Sequence, residues 1–385
     1  MISVRQLFKD NKVSPAVVGW ALILLSFMCS FFVPIPSKFN NNYFYILMAV
    51  PALFASLKNY RNAMQLLLGF PYFLLSIVIS VIIYSFHGEV FKDSAYILLF
   101  LVFLNRFVNA EKIQELIFLA YAGVVFAVML YAYLTNNYMP HSPSLRLMFY
   151  GQTFNPVYAA SMILVAAIYL WIFHLEAYVT VKPRFLSYTL IVVYFSFVLA
   201  ILAQFEARSA IVGLVAFILF YAYVRRLFGV LFFALILCFI VIEIYGLPSF
   251  LLQRGFSFRG EIWLDAIQHI NSSCSIFIGC SDDDYLFLGK FSHAHSAYLS
   301  MFYEAGIISF AVFMVFAFDF FRRCLRLESK WFLVALPGWF ALLTTTSGIY
   351  TSPKPLWIYF WLPTFFAMIE CYKLSHFKNH QIAED

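Results

Sequence analysis

The sequence predicts an all-α integral membrane protein with about twelve spanning helices. Composition, the length of the apolar runs and the placement of charge carry that prediction. Of the 385 residues, 63% are hydrophobic and 11% are charged. A soluble domain carries about 25% charged residues, so too few remain here to cover a water-facing surface that must also hide 48 Phe and 25 Tyr. A soluble core of this length would split into domains. A bilayer removes that limit, because the outside of a bundle is as apolar as its inside. Residues 1–385 are therefore expected to form one polytopic membrane domain. Met1 to Ser14 is basic, but the run after it lacks a small-residue cleavage site and is long enough to span. It is expected to stay as an anchor and not to be cleaved as a signal peptide. The formal net charge of +6 comes from basic residues scattered between apolar runs. Lipid contact and membrane sidedness account for them, and no nucleic acid partner is expected.

A span needs about 20 apolar residues at 1.5 Å rise each. The runs fall at Pro15–Val33, Tyr43–Leu57, Ala63–Tyr84, Ala95–Phe107, Ile113–Leu134, Phe154–Phe173, Phe185–Leu202, Ser209–Tyr223, Leu227–Tyr245, Ser296–Phe318, Trp331–Thr344 and Leu356–Tyr372. Charge tests this division. With the N-terminus inside and the runs alternating, 17 of the 25 Lys and Arg fall inside and 8 outside. Every inside segment then holds at least two cations, among them Arg225-Arg226 and Arg322-Arg323, as the positive-inside rule requires. Both termini are expected in the cytoplasm. Removing one span would flip these pairs to the outside.

The outside exceptions include Arg146, Arg208, Arg254 and Arg259, and two outside segments are long. One is Thr135–Thr153. The other, 246–295, is the largest loop, between the ninth and tenth spans. Within it Ile262, Trp263, Ala266, Ile267 and Ile270 fall at helical spacing over Phe258–Ile270. That pattern reads as an amphipathic helix lying on the membrane or capping a cavity.

The chemistry-bearing residues gather on this outer side. Arg208 stands at the mouth of the eighth span, where an Arg costs several kcal/mol unless water or an anion meets it. A snorkelling interfacial Arg paired with Glu206 is the plainer alternative. Arg146 precedes Asn155-Pro156, which can start a helix with Asn as cap and Pro at the first position. The exposed N–H groups of such a start form a ready anion site. Arg254 and Arg259 flank the start of the amphipathic helix. Arg forks suit phosphate oxygens better than Lys does, and a diphosphate-linked lipid would place its head group at this depth. His295 lies just before the tenth span. Imidazole is the usual general base near neutral pH, although an interfacial His can equally be a structural hydrogen-bonding group. Asp282-Asp283-Asp284 could hold a divalent cation or form a solvated loop. Cys274 and Cys280 are the two Cys placed outside, where an oxidising exterior would let them pair; two free thiols remain the alternative.

In order along the chain, these residues resemble those of the bacterial O-antigen ligases, within a superfamily that also holds O-antigen polymerases and protein O-oligosaccharyltransferases. The ligase signature is a His, then Asn, Ser or Gln, nine residues, a Gly, and a small or Tyr residue three further on. Here it reads His295-Ser296, then Gly306 and Ser309, with Ser in place of the favoured Gly, Thr or Tyr. Arg208-Ser209-Ala210 is similar to the family's Arg-Ser/Gly-Ala start of a span, and Phe154-Asn155-Pro156 to its Asn-Pro helix start. Arg259 with Trp263 resembles its Arg-then-Trp helix in the large periplasmic loop. Ile276-Phe277-Ile278-Gly279 resembles the Pro-Leu-Phe-Gly stretch that follows, with Ser281 where a second Gly is common. The resemblance runs from about Arg146 to Phe310.

The resemblance implies a GT-C-like glycosyltransferase of the bacterial inner membrane with a periplasmic active site. It implies an undecaprenyl diphosphate-linked glycan as donor and a hydroxyl of lipid A-core as acceptor, with inversion at the anomeric centre. His295 would deprotonate the acceptor. Arg208, with Arg146, Arg259, Arg254 and Asn155, would hold and neutralise the diphosphate. No metal or other cofactor is expected. An O-antigen polymerase would use a second lipid-linked glycan as acceptor. A protein O-oligosaccharyltransferase usually carries more sequence after the last span than the dozen or so residues here. A flippase or transporter should carry polar residues at mid-span, and these spans have almost none.

Overall fold

The computed structural model describes residues 14–57, 60–86, 92–138, 146–227, 259–280, 294–345 and 348–384, with isolated positions at 229, 236 and 240. The described part is helical, without strands, apart from two isolated bridges. The first helices are α1 (Pro15–Ser30), α2 (Ser37–Tyr43), α3 (Val50–Leu57), α4 (Tyr60–Gly69), α5 (Pro71–Phe86), α6 (Lys92–Leu104), α7 (Glu111–Leu134), α8 (Pro156–Leu170) and α9 (Glu176–Thr180). They are followed by α10 (Arg184–Ala203), α11 (Arg208–Val224), α12 (Arg259–Ser273), α13 (Ala297–Arg326), α14 (Lys330–Ala341) and α15 (Leu362–Glu384). π-helical turns join α2 to α3 (Phe44–Ala49), join α8 to α9 (Trp171–Leu175) and lead into α15 (Trp357–Trp361). Each widens a helix by one residue without breaking it.

Four of these segments are long and apolar enough to cross a membrane: Glu111–Leu134, Pro156–Thr180, Arg184–Ala203 and Ala297–Arg326. Shorter apolar helices surround them, including Pro15–Ser30, Pro71–Ser85, Arg208–Val224 and Lys330–Thr344. The α8 helix is apolar all round, and nearly all of it is buried between α7, α11 and α14, as a core helix should be. The α10 helix instead turns Phe185 (84% exposed), Val193 and Phe197 outward. A soluble protein does not tolerate such a belt, whereas acyl chains do. The chain is a helical membrane protein.

Local chemistry sets several boundaries. Pro71 cannot donate to the preceding turn, so the expected run Ala63–Tyr84 is two helices, α4 and α5, divided at Phe70. The run expected from Tyr43 begins at Ser37, because polar Asn40 is buried and linked to Ser30 Oγ at 2.9 Å. The eleventh run ends in a 3-10 turn, Leu342–Thr344. The ninth run, Leu227–Tyr245, lies almost wholly outside the described residues, as do Arg254 and the Asp282–Asp284 run.

Helix packing fixes the two ends of the bundle. The α11 and α14 helices lie side by side, and a Cβ on Gly213 would come within 2.9 Å of the Pro337 carbonyl. Small residues allow such backbone approach in membranes. The far end from His295 is held by charged side chains. Arg225 grips Glu176 with Nε at 2.7 Å and Nη2 at 3.0 Å. Lys373 meets Glu111, and Arg323 donates to the Gly69 carbonyl at 2.6 Å.

Candidate active site at the His295 end

The corner after α10 collects the first two arginines. Arg146 Nε donates to the Phe205 carbonyl at 2.9 Å, and Leu147 N–H donates to the Gln204 carbonyl at 2.9 Å. The segment before Arg146 is pinned in turn, since Asn137 Nδ2 donates to the Met148 carbonyl. Arg146 is thereby held three residues from Arg208, the first residue of α11. Its cap position is Ala207, which offers no side-chain acceptor to the first turn.

The third arginine arrives on α12. This helix buries Ile262, Ala266 and Ile270, which recur every four residues along one face. Ala266 and Ile270 pack on Tyr303 of α13. Ile267, expected on the same face, is 40% exposed, because a third residue one step on from Ala266 rotates past the contact. Arg259, at the start of α12, reaches the Thr344 carbonyl with Nη2 at 3.4 Å. Burial first, and then the neighbouring Arg208 charge, hold the Arg259 pKa below its usual value. The two guanidinium groups therefore lie within electrostatic reach of each other.

One turn along α12, Trp263 Nε1 donates to the Ala294 carbonyl at 2.8 Å. This bond fixes the backbone immediately before His295. His295 itself has φ of 50°, in the left-handed region that is uncommon for a residue with a side chain. The other residues with positive φ and a side chain, Asn136, Glu206, Arg226 and Glu328, each follow the C-terminus of a helix, where this conformation is a normal stop. His295 instead precedes one. Ser296 then caps α13, accepting from Leu299 N–H at 3.4 Å.

The α13 helix is itself broken. Gly306 has φ of 71° and ψ of −179°. The opened turn is filled by the segment after α12: Ile307 N–H donates to the Ile276 carbonyl at 2.9 Å, and Ile308 N–H to that of Phe277 at 3.4 Å. A Cβ on Gly306 would lie 2.2 Å from the Phe277 carbonyl oxygen. Gly279, with φ of 80°, presses on the Glu304 backbone, and Cys280 N–H donates to the Tyr303 carbonyl at 2.8 Å. A disulfide between Cys274 and Cys280 closes this small loop. His269 lies close to both sulfurs, but their pairing removes them as metal ligands. Replacing Gly306 with Ala is expected to destabilise the protein by about 1–3 kcal/mol, since φ and the Phe277 carbonyl both oppose a side chain. Thermal unfolding in detergent measures this.

Ser309, three residues past the break, bonds Ser80 Oγ on α5 at 2.8 Å. Tyr84 donates to Glu304 at 3.0 Å, and Ser76 joins Tyr350 at 2.8 Å. These pairs bind α5 to α13 and the chain before α15.

Asn155 caps α8, its Oδ1 accepting from Val157 N–H at 3.0 Å. The turn before it is tied to α1, with Gln152 N–H donating to the Phe31 carbonyl at 3.0 Å. Among the residues singled out in the sequence, then, Arg146 is bonded at the corner before Arg208, the Arg208 charge is felt at Arg259, and α12 is bonded to the residue before His295. Asn155 uses its side chain in the helix start. Sequence reasoning missed the segment after α14, where Arg259 lands. Its signal was the run Thr344-Thr345-Thr346-Ser347, hydroxyls closing an apolar stretch.

These features define a helical membrane protein, with arginines and a histidine at positive φ as its candidate site. No family model matches the chain. It is 26% identical over 370 residues to the O-antigen ligase of Pseudomonas aeruginosa, covering 90% of this chain and 88% of that protein. The likeness to an O-antigen ligase therefore extends over nearly the whole chain and is not confined to the motifs between Arg146 and Phe310.

Proposed function

We propose that this chain is an O-antigen ligase of lipopolysaccharide biosynthesis. It moves a glycan from undecaprenyl diphosphate to a hydroxyl of lipid A-core. The observations that support the reading are the Arg208 charge felt at Arg259, the bond from the same helix to the backbone before a histidine at positive φ, and the whole-length likeness to a curated ligase. In the full reading about twelve spans form a GT-C-like bundle in the inner membrane. Both termini are cytoplasmic and the His295 end is periplasmic.

The chemistry is a single displacement. His295 accepts the proton of the acceptor hydroxyl as that oxygen attacks the anomeric carbon. The bond from that carbon to the diphosphate oxygen breaks, and the lipid diphosphate leaves with the bonding electrons. Arg208 and Arg259, steadied by Arg146 at the same corner, receive the charge that develops on the leaving group. Attack opposite the leaving group inverts the anomeric centre. Arg254 belongs to the same basic set by its place in the sequence.

Positively charged side chains fill the role that a divalent ion would otherwise take. Transfer is therefore expected to survive exhaustive EDTA treatment within a factor of about two. Loss of activity that magnesium restores would return a metal, and with it the Asp282–Asp284 run, to the mechanism. The acceptor is tested by offering the purified protein and its lipid-linked glycan either lipid A-core or a second lipid-linked glycan. Growth on lipid A-core supports the ligase. Growth only on the second lipid-linked glycan makes the chain an O-antigen polymerase, and mere passage of the donor across a bilayer makes it a flippase.

A further inference from the structure

Two kinds of polar group lie near the His295 end. The α5–α13 group, Ser76, Ser80, Tyr84, Glu304, Ser309 and Tyr350, is bonded internally and works as glue between helices. A second group is not. Ser209 Oγ, Thr344 Oγ1 and Thr345 Oγ1 are buried and have no hydrogen-bond partner among the described residues. Ser209 is 2% and Thr345 0% exposed. A buried hydroxyl without a partner is costly, so several at one place call for an explanation.

Their position supplies it. Ser209 sits in the first turn of α11, beside Arg208. That turn has no side-chain cap, and within it the Ala210 N–H bonds back to the Ala207 carbonyl at 3.1 Å. Thr344 and Thr345 end the segment after α14, where Arg259 Nη2 meets the Thr344 carbonyl. Because Gly213 lies against Pro337, the α11 start and the Thr344 turn emerge side by side. Ser209 thus follows Arg208 at the helix start, and Thr344 and Thr345 lie where Arg259 is bonded. A diphosphate presents more acceptor oxygens than two forks can cover, and further neutral donors suit the remainder.

We propose that Ser209, Thr344 and Thr345 form, with Arg208 and Arg259, a subsite for the diphosphate oxygens of a lipid-linked donor. This deepens the ligase reading and rests on it for the donor's identity. The hydroxyls hold the phosphates; they take no part in proton transfer. Each hydroxyl donates to a phosphate oxygen, and loss of one such bond weakens binding by about tenfold.

The test uses full-length protein in detergent and three probes: a synthetic polyprenyl diphosphate without sugar, inorganic diphosphate, and phosphatidylglycerol. Thr345→Val keeps the shape and removes the hydroxyl; Ser209→Ala tests the opposite wall, and Thr345→Ser is the rescue. The expected result is about tenfold weaker binding of both diphosphate probes by each of the first two variants. Thr345→Ser should restore it, and phosphatidylglycerol should bind weakly and alike to all. In transfer assays the KM for donor should rise by a similar factor while the KM for acceptor stays within about twofold. Unchanged diphosphate binding in correctly folded variants overturns the subsite, as does a rise confined to the acceptor KM. A phosphatidylglycerol effect equal to the diphosphate effect also overturns it, by showing a lipid head-group site. If the wild type binds polyprenyl diphosphate through these hydroxyls but transfers no glycan, the ligase reading fails while the subsite stands.

Discussion

Replacing His295 with Asn is expected to lower glycan transfer by about 10²–10⁴-fold, the usual contribution of a positioned base. The choice of Asn matters. His295 has φ of 50°, and Asn adopts that conformation far more readily than most residues with a side chain. The backbone between the Trp263 bond to Ala294 and the Ser296 cap is then kept, while the titratable ring is lost. His295→Ala should lose at least as much activity and also some stability, since Ala adopts the left-handed region less readily than His or Asn. Initial rates with saturating donor, beside a thermal unfolding curve, separate the two effects. A His295→Asn protein that retains more than about a tenth of the rate would assign the histidine a structural role.

Arg208→Lys is expected to be nearly as harmful as Arg208→Ala, each lowering the rate by about 10²–10³-fold. If Arg208 were an interfacial cation that only snorkels, Lys would serve as well. If its fork grips two oxygens of the leaving diphosphate, a point charge cannot replace it. The structure sharpens the contrast. Arg208 opens α11 without a side-chain cap before it, and its charge is felt at Arg259. A Lys head there would present one compact charge where the guanidinium presents a planar fork. Rates for both variants, measured with donor varied, check this. Full activity in the Lys form would favour the snorkelling alternative.

Much of the fold was legible because membranes impose simple rules. Length and hydropathy marked the apolar helices, and Asn155-Pro156 announced a capped start that α8 uses as read. The run of Ile262, Ala266 and Ile270 gave the buried face of α12. Ile267 was misplaced because a hydropathy pattern records the type of a residue and not which neighbour it meets. The break at Gly306 was hidden for a related reason. The residues Ser296–Phe318 read as one continuous span, and the break depends on the Ile276–Gly279 segment entering the helix from elsewhere in the chain. The sequence held both partners, Gly306 and Gly279, without indicating that one is shaped for the other. Of the candidate site, Arg208, Arg259 and His295 were visible as chemistry on one side of the membrane, without the bonds that position them. Thr344 and Thr345 were passed over because a hydroxyl at a helix end is ordinary. Only its burial without a partner makes it notable.

The central claim is a single displacement at a diphosphate-linked sugar, with His295 as base. It is tested most directly by reconstituting the purified protein with a lipid-linked glycan of known anomeric configuration and lipid A-core, then reading the new glycosidic bond by NMR. The account predicts a product that forms with the wild type, is lost with His295→Asn, and carries the inverted configuration. A product that retains the donor configuration, or that forms equally well without His295, would contradict it.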